Sequence, residues 1–282
     1  MTPTEKIYSI VDTALTGIRI LFSSSWNIRF TDQANDSIYI LGNGPSLNDI
    51  ATEKLSGKVC LAVNNFAMTP LFTEIKPAFY VIAAPEYWLE HVDHNYKEMR
   101  NNLFAQIKDK LSWNMEIFIP YKSRKYKLKD RLHALSPNLK ISYYNDTPAE
   151  GIAVLTQYAY KKRLGMPRPH NVLIPSIMIA IWKNFKQIYL FGADHSWLSE
   201  IFVSEDNTAY LTQKHFYDSK VAKPDIMKKK GTGTRKLHEI LRKFMLTFEA
   251  YHQINAYAIK NNISIINKTK NSFIDAFSRK EN

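Results

Sequence analysis

The chain is predicted to be α/β, built on a mostly parallel sheet with helices wound over both faces. Three observations lead there. Short apolar runs alternate with segments of helical period. Most of those runs are continuously apolar rather than alternating, as strands covered on both faces are. Glycines and small polar residues gather just after several of the runs, where sheets of this kind hold their ligands.

The first element is helical. Ile7, Ile10, Val11, Ala14, Leu15, Ile18, Leu21 and Phe22 recur at steps of three and four, and the pattern stops at Ser23-Ser24-Ser25. Residues 1–30 are expected to form an amphipathic helical segment. It either packs on the rest of the chain or lies on a membrane with Lys6 and Arg19 toward the headgroups. Asp12, Thr13 and Thr16 interrupt the apolar stretch, which suits neither a signal peptide nor a spanning helix.

Residues 31–282 are expected to form the main domain. Strands fall at 38–41, 59–63, 79–83, 115–119, 139–143, 187–191 and 264–266. Helices are expected at 86–110, 125–134, 171–184 and 235–261. In the last of these Leu237, Ile240, Leu241, Phe244, Met245, Phe248, Tyr251 and Ile254 mark one face. Strand–helix alternation implies a doubly wound, Rossmann-like sheet. The stretch 199–234 is polar and without clear period. It holds Gly231, Gly233, the aromatic group Tyr210, His215, Phe216 and Tyr217, and the run Lys228-Lys229-Lys230. It reads as a lid over an anionic substrate, or else as a solvent-exposed insertion.

The net charge of +12 on 282 residues favours anionic partners. Basic clusters at 122–131, 161–163 and 228–230 come without a zinc finger or an RNA-recognition motif. Nucleic acid is therefore not an expected partner; an anionic membrane surface or a phosphorylated ligand is. The single cysteine, Cys60, excludes a disulfide framework and a multi-cysteine zinc site, and its apolar neighbours predict a buried thiol.

The candidate site follows from strand ends. Gly42-Asn43-Gly44-Pro45-Ser46 succeeds the first strand, Asn64-Asn65 the second, Pro85-Glu86 the third and Gly192-Ala193-Asp194-His195-Ser196 the sixth. Glycines at such a turn let backbone approach a ligand, and a helix starting at Pro45 or Ser46 offers N–H groups to phosphate. Asparagine amides donate and accept at once, which suits ribose, base and phosphate. With Tyr217 of the lid, these are the expected nucleotide contacts. Candidate bases are His195 and His215, then His238, with Asp194 adjacent. His91, His94, His133, His170 and His252 are assigned to surfaces or helix faces.

Gly-Asn-Gly lacks the third glycine of the dinucleotide fingerprint. The chain has no Gly-Lys-Ser/Thr loop, no Asp-x-Asp, no His-Glu-x-x-His and no Gly-x-Ser-x-Gly. A metal-independent site for a nucleotide-bearing ligand remains, with no cofactor expected.

The Gly42-Asn43-Gly44-Pro45-Ser46-Leu47 turn, Asn64-Asn65-Phe66 and the stretch from Lys186 to Asp194 resemble the bacterial lipooligosaccharide sialyltransferases. They also resemble the related motility-accessory-factor and 6-hydroxymethylpterin diphosphokinase-like proteins. Order and spacing agree over roughly 37–277, with local identity concentrated at the first and sixth strands. The resemblance implies a Rossmann-like sheet with a lid, and metal-independent transfer of a sugar from a CMP-linked donor to a cell-surface glycan or lipid-linked precursor. It puts Asn43 and Asn64 on the nucleotide; from charge and the N-terminal helix, a cytoplasmic protein with a peripheral contact on the inner membrane is the matching expectation.

The chain departs from the family at three places. Ala84 stands where Asn or Asp follows the third strand. Pro169 and Val172 replace the Arg and Ser before the sixth-strand helix, with Asn171 nearby as a donor contact. No histidine occupies 229–234, so His195 or His215 takes the place of the family's base. Two other readings stay open: a pterin-type diphosphokinase using ATP and Mg²⁺, and a non-catalytic nucleotide-binding assembly factor.

Overall fold

The structure, a computed structural model, describes residues 2–33, 35–50, 52–212, 216, 224–227 and 234–281. After helix α1 (Pro3–Ser23) come strands β1 (Ser37–Leu41) and β2 (Cys60–Val63), helix α2 (Leu71–Ile75), strand β3 (Phe79–Val81), helix α3 (His94–Lys110), strand β4 (Met115–Pro120), helix α4 (Leu128–His133) and strand β5 (Leu139–Tyr144). Helices α5 (Ala153–Lys161) and α6 (Leu173–Trp182) lead to β6 (Gln187–Phe191). The short strands β7 (Ile201–Val203), β8 (Ala209–Leu211) and β9 (Asp225–Ile226) follow, then helix α7 (Leu237–Lys260) and β10 (Ser264–Asn267).

All seven expected strands are present and share one sheet in the order β10-β6-β1-β2-β3-β4-β5. Every pairing in it is parallel. From β1 the chain steps outward to β5, then crosses back to lay β6 on the other side of β1. The β1/β6 boundary is therefore the switch point, where two loops leave the sheet in opposite directions. The register pairs Leu41 with both Ala62 and Phe191, so the turns after β1 and β6 start level.

Pleating sends successive side chains to opposite faces. Ile38, Ile40, Leu61, Val63 and Val81 join α6 and α7 in one core; Leu41, Cys60, Ala62, Tyr80 and Ile117 join α3 and α4 in the other. Every residue of α6 is buried, as a helix apolar all round must be. Helices preceding a parallel strand run antiparallel to it. The starts of α6 and α7 therefore lie at the carboxyl edge of the sheet.

Several expectations change. The helix expected from residue 86 begins at His94, after a 3₁₀ turn at Pro85–Tyr87. α5 was not anticipated, because its apolar residues Val154, Leu155 and Tyr158 face outward while Thr156, Ala159 and Tyr160 face in. The stretch 199–234 is not structureless: β7, β8 and β9 form an antiparallel sheet, and Ala209 and Leu211 pack on Ile240 and Phe244 of α7. Strands of two or three residues are too short to show a period. His215, Tyr217 and the Lys228–Lys230 run lie outside the described residues.

Residues 1–30 are part of the main body. Ile20, Ile28 and Phe30 belong to the same core as the sheet, and the Phe30 ring stacks on Trp182 at 5.8 Å. The helix meets the protein with its polar side. Thr16 Oγ1 donates to the Glu150 carbonyl and accepts from the Glu150 N–H, each at 2.8 Å. Ser24 Oγ donates to the Leu164 carbonyl at 2.6 Å. Arg19, which the membrane alternative put toward headgroups, pairs with Glu150 at 2.9 Å.

Candidate functional site

At the switch point the two glycine turns pack on each other. Gly42 N–H donates to the Phe191 carbonyl and Gly44 N–H to the Gly192 carbonyl, both at 2.8 Å. A Cβ on Gly44 would overlap the Asp194 carboxylate and sit 2.6 Å from the Gly192 oxygen; one on Gly192 would sit 2.6 Å from the Gly42 oxygen. Gly192 also has φ +62°, which favours glycine. The glycines expected to admit a ligand thus admit each other's backbone.

Pro45–Asp49 is a single 3₁₀ turn. Its free end is filled by the protein itself: the Asp194 carboxylate accepts from Ser46 N–H at 3.1 Å and from the Ser46 hydroxyl at 2.8 Å. Gly42, Gly44, Ser46, Gly192 and Asp194 form a clasp between β1 and β6, and the N–H expected to hold phosphate is engaged within it.

The amides sit along the neighbouring strand ends. Asn43 Nδ2 donates to the Val63 carbonyl at 3.3 Å, while its Oδ1 is buried without a hydrogen-bond partner among the described residues. Asn64, at φ +46°, accepts the Ala83 N–H on its Oδ1 at 3.4 Å. Asn65 accepts from the Tyr87 hydroxyl at 2.8 Å and donates its Nδ2 to Met99 Sδ of α3 at 3.1 Å. The stretch 199–234 touches this row at Phe216, whose N–H donates to the Asn43 carbonyl at 3.0 Å and whose ring packs on Phe66.

His195 lies beneath the edge, buried at φ +53°. Its Nε2 is 2.6 Å from the Tyr251 hydroxyl and 3.1 Å from Asn171 Nδ2. Its ring packs against Trp197 at 4.1 Å. Burial pushes its pKa down to about 3. With Nε2 engaged by Tyr251 and Asn171, the imidazole ties β6 to α7. Asn171 is committed too. Its Oδ1 accepts the Leu173 and Ile174 N–H groups and caps α6, while its Nδ2 donates to Tyr251 at 2.7 Å. Ser196 opens the 3₁₀ turn that leads to the lid sheet, and His238 is exposed on the first turn of α7.

The charged group that the sequence did not single out is His170 with Arg168, Arg235 and Lys243. His170 precedes α6; Arg235 and Lys243 flank the start of α7. Burial, then the charges of Lys243 and Arg168, hold the His170 pKa down to about 4, with Arg235 adding to the effect and Glu150 opposing it. Burial and the neighbouring Arg235 lower that of Lys243, against the pull of Glu86 from the end of β3. Arg168 is committed to Glu150, with Nε on Oε1 at 2.6 Å. His170 Nε2 and Arg235 Nε are buried without hydrogen-bond partners among the described residues. Asn43 follows β1, and His170 and Arg235 precede α6 and α7, so all three open atoms belong to the carboxyl edge of the sheet, and buried polar atoms left open call for water or ligand. The signal available in sequence was positional: a histidine just before a helix that starts at the carboxyl edge.

Among the described residues no cluster of His, Cys, Asp or Glu side chains could hold a metal ion. No protein-family model matches the chain, and no curated protein matches it.

Proposed function

We propose that the chain is a glycosyltransferase that takes an acidic sugar of the sialic acid kind from a CMP-linked donor and delivers it to a cell-surface glycan or its lipid-linked precursor. The observation that carries this reading is the group His170, Arg235 and Lys243 at the carboxyl edge of the sheet, where the buried His170 Nε2 and Arg235 Nε have no hydrogen-bond partner among the described residues. Such a donor brings a phosphate and a carboxylate. Lys243 and Arg235 bind the phosphate and stabilise the charge that builds on the leaving nucleotide, the positive charge a divalent ion supplies elsewhere. The sugar–phosphate C–O bond breaks as the acceptor hydroxyl bonds to the anomeric carbon, and His170 takes the hydroxyl proton. The arriving anion offsets the cations around His170 and raises its basicity. Asn43 and Asn64 contact the nucleoside.

The diphosphokinase reading rests on Asp194, whose two oxygens accept from the Ser46 N–H and hydroxyl. Calorimetry with CMP tests the proposal: CMP binds, and Lys243→Met weakens it by roughly tenfold or more, the loss of a charged hydrogen bond. A panel of CMP- and UDP-sugars then identifies the donor by nucleotide release. Tighter binding of ATP with Mg²⁺ than of CMP, or no nucleotide binding at all, overturns it.

A further inference from the structure

We propose that the outward face of α1 and α5 seats the protein on an anionic lipid bilayer. α1 sits with its polar side inward: Thr13, Thr16 and Arg19 bond to the segment 150–152. Its apolar side faces water, with Ile7, Ile10, Val11, Ile18, Leu21 and Phe22 each between 49% and 82% exposed. α5 extends this surface through Val154, Leu155 and Tyr158, all exposed. The Ile152 N–H, donated to Thr13 Oγ1 at 2.8 Å, ties its start to α1. An apolar surface spread over two helices marks an interaction.

Charge selects the occupant. At the C-terminal end of α1, Phe22 and Ser23 line a cleft of about 260 Å³ together with Lys122, Arg124 and Lys125. α5 ends in Lys161, followed by Lys162. A second copy would carry the same +12 charge into the contact. An anionic bilayer meets both demands, with apolar side chains at the acyl boundary and cations among the headgroups. Among the described residues no helix is long and apolar enough to cross a membrane, so the contact is with one leaflet.

The test needs no nucleotide, so its outcome is separate from that of the transferase reading. The full chain is floated with vesicles of phosphatidylcholine alone and of phosphatidylcholine mixed equally with phosphatidylglycerol. The protein is expected to float with the mixed vesicles more than with the neutral ones. Ile10→Glu/Ile18→Glu is expected to lower the partition constant roughly tenfold or more, because each isoleucine withdrawn from water counts for about a tenfold step. Circular dichroism verifies that variant's fold. Lys161→Glu/Lys162→Glu provides a second readout, lowering binding to anionic vesicles while leaving binding to neutral ones unchanged. Failure of the wild-type chain to float with either vesicle overturns the proposal. So does a dimer by light scattering that Ile10→Glu/Ile18→Glu converts to monomer without any vesicle binding.

Discussion

Gly44→Ala separates two explanations of the Gly-Asn-Gly turn. Gly44 has φ −70° and ψ 155°, extended backbone that alanine adopts freely. If the glycine only left room for a ligand, alanine would be neutral or would stabilise the chain by about 0.5 kcal/mol through the unfolded state. The clasp predicts otherwise. The new methyl overlaps the Asp194 carboxylate and lies 2.6 Å from the Gly192 oxygen. Either the two turns stay in place under strain costing about 1–3 kcal/mol, or they part and weaken the Ser46–Asp194 bonds, each charge-assisted and worth about 1.5 kcal/mol or more.

Less the unfolded-state gain, strain leaves a net destabilisation of about 0.5–2.5 kcal/mol and loss of the two bonds about 2.5 kcal/mol or more, read as a shift in urea midpoint at constant slope. Asp194→Ala alone loses the two bonds to Ser46. Combined with Gly44→Ala it also removes the overlapping carboxylate, so the double variant is more stable than additivity predicts by about 1 kcal/mol. A Gly44→Ala variant within about 0.5 kcal/mol of wild type, with additive energies, refutes the clasp.

Other outcomes follow from buried groups. Unfolded, His195 takes up a proton below about pH 6.5; folded, it stays neutral until about 3. Stability that is complete above 6.5 is lost as pH falls toward 3, by about 2 kcal/mol at pH 5; His195→Asn, tolerated at φ +53°, should flatten urea midpoints between pH 7.5 and 5. Lys183, fully buried, pairs with Glu116 at 3.1 Å. Burial pushes the Glu116 carboxyl up, but the Ser142 hydroxyl with Lys183 and Lys140 outweighs it and holds the carboxyl below the usual range. Lys183→Met should cost about 3 kcal/mol, and Glu116→Gln in the same chain should restore part of it. Burial pushes the Cys60 thiol up to about 12, so it should resist an aromatic disulfide reagent in the native protein and react fully in urea.

Much of the sheet was legible because continuous apolar runs such as 187–191 have one stable use, a strand covered on both faces. Helices with inward apolar faces, such as α7, were legible for a related reason. α5 was not, since its apolar face points out, and β7 to β9 were not, since two or three residues carry no period. The carboxyl edge where polar residues follow the strands was legible from strand order; which of their polar groups the protein itself engages was not. Asn43 and Asn64 stand along the edge, whereas Asn65, Asn171 and His195 spend their polar groups on Tyr87 and α3, on α6, and on Tyr251.

The sequence by itself determined the doubly wound architecture and the edge where polar groups collect, because both depend on local pattern and strand order. Only the tertiary structure decided that Gly42 and Gly44 meet Gly192 and Asp194 rather than open space, and that α1 turns its apolar side outward. It alone brought His170, Arg235 and Lys243 together. Contacts between residues far apart in the chain leave no periodic trace: whether a glycine, histidine or leucine meets solvent, ligand or protein depends on what the rest of the chain packs beside it.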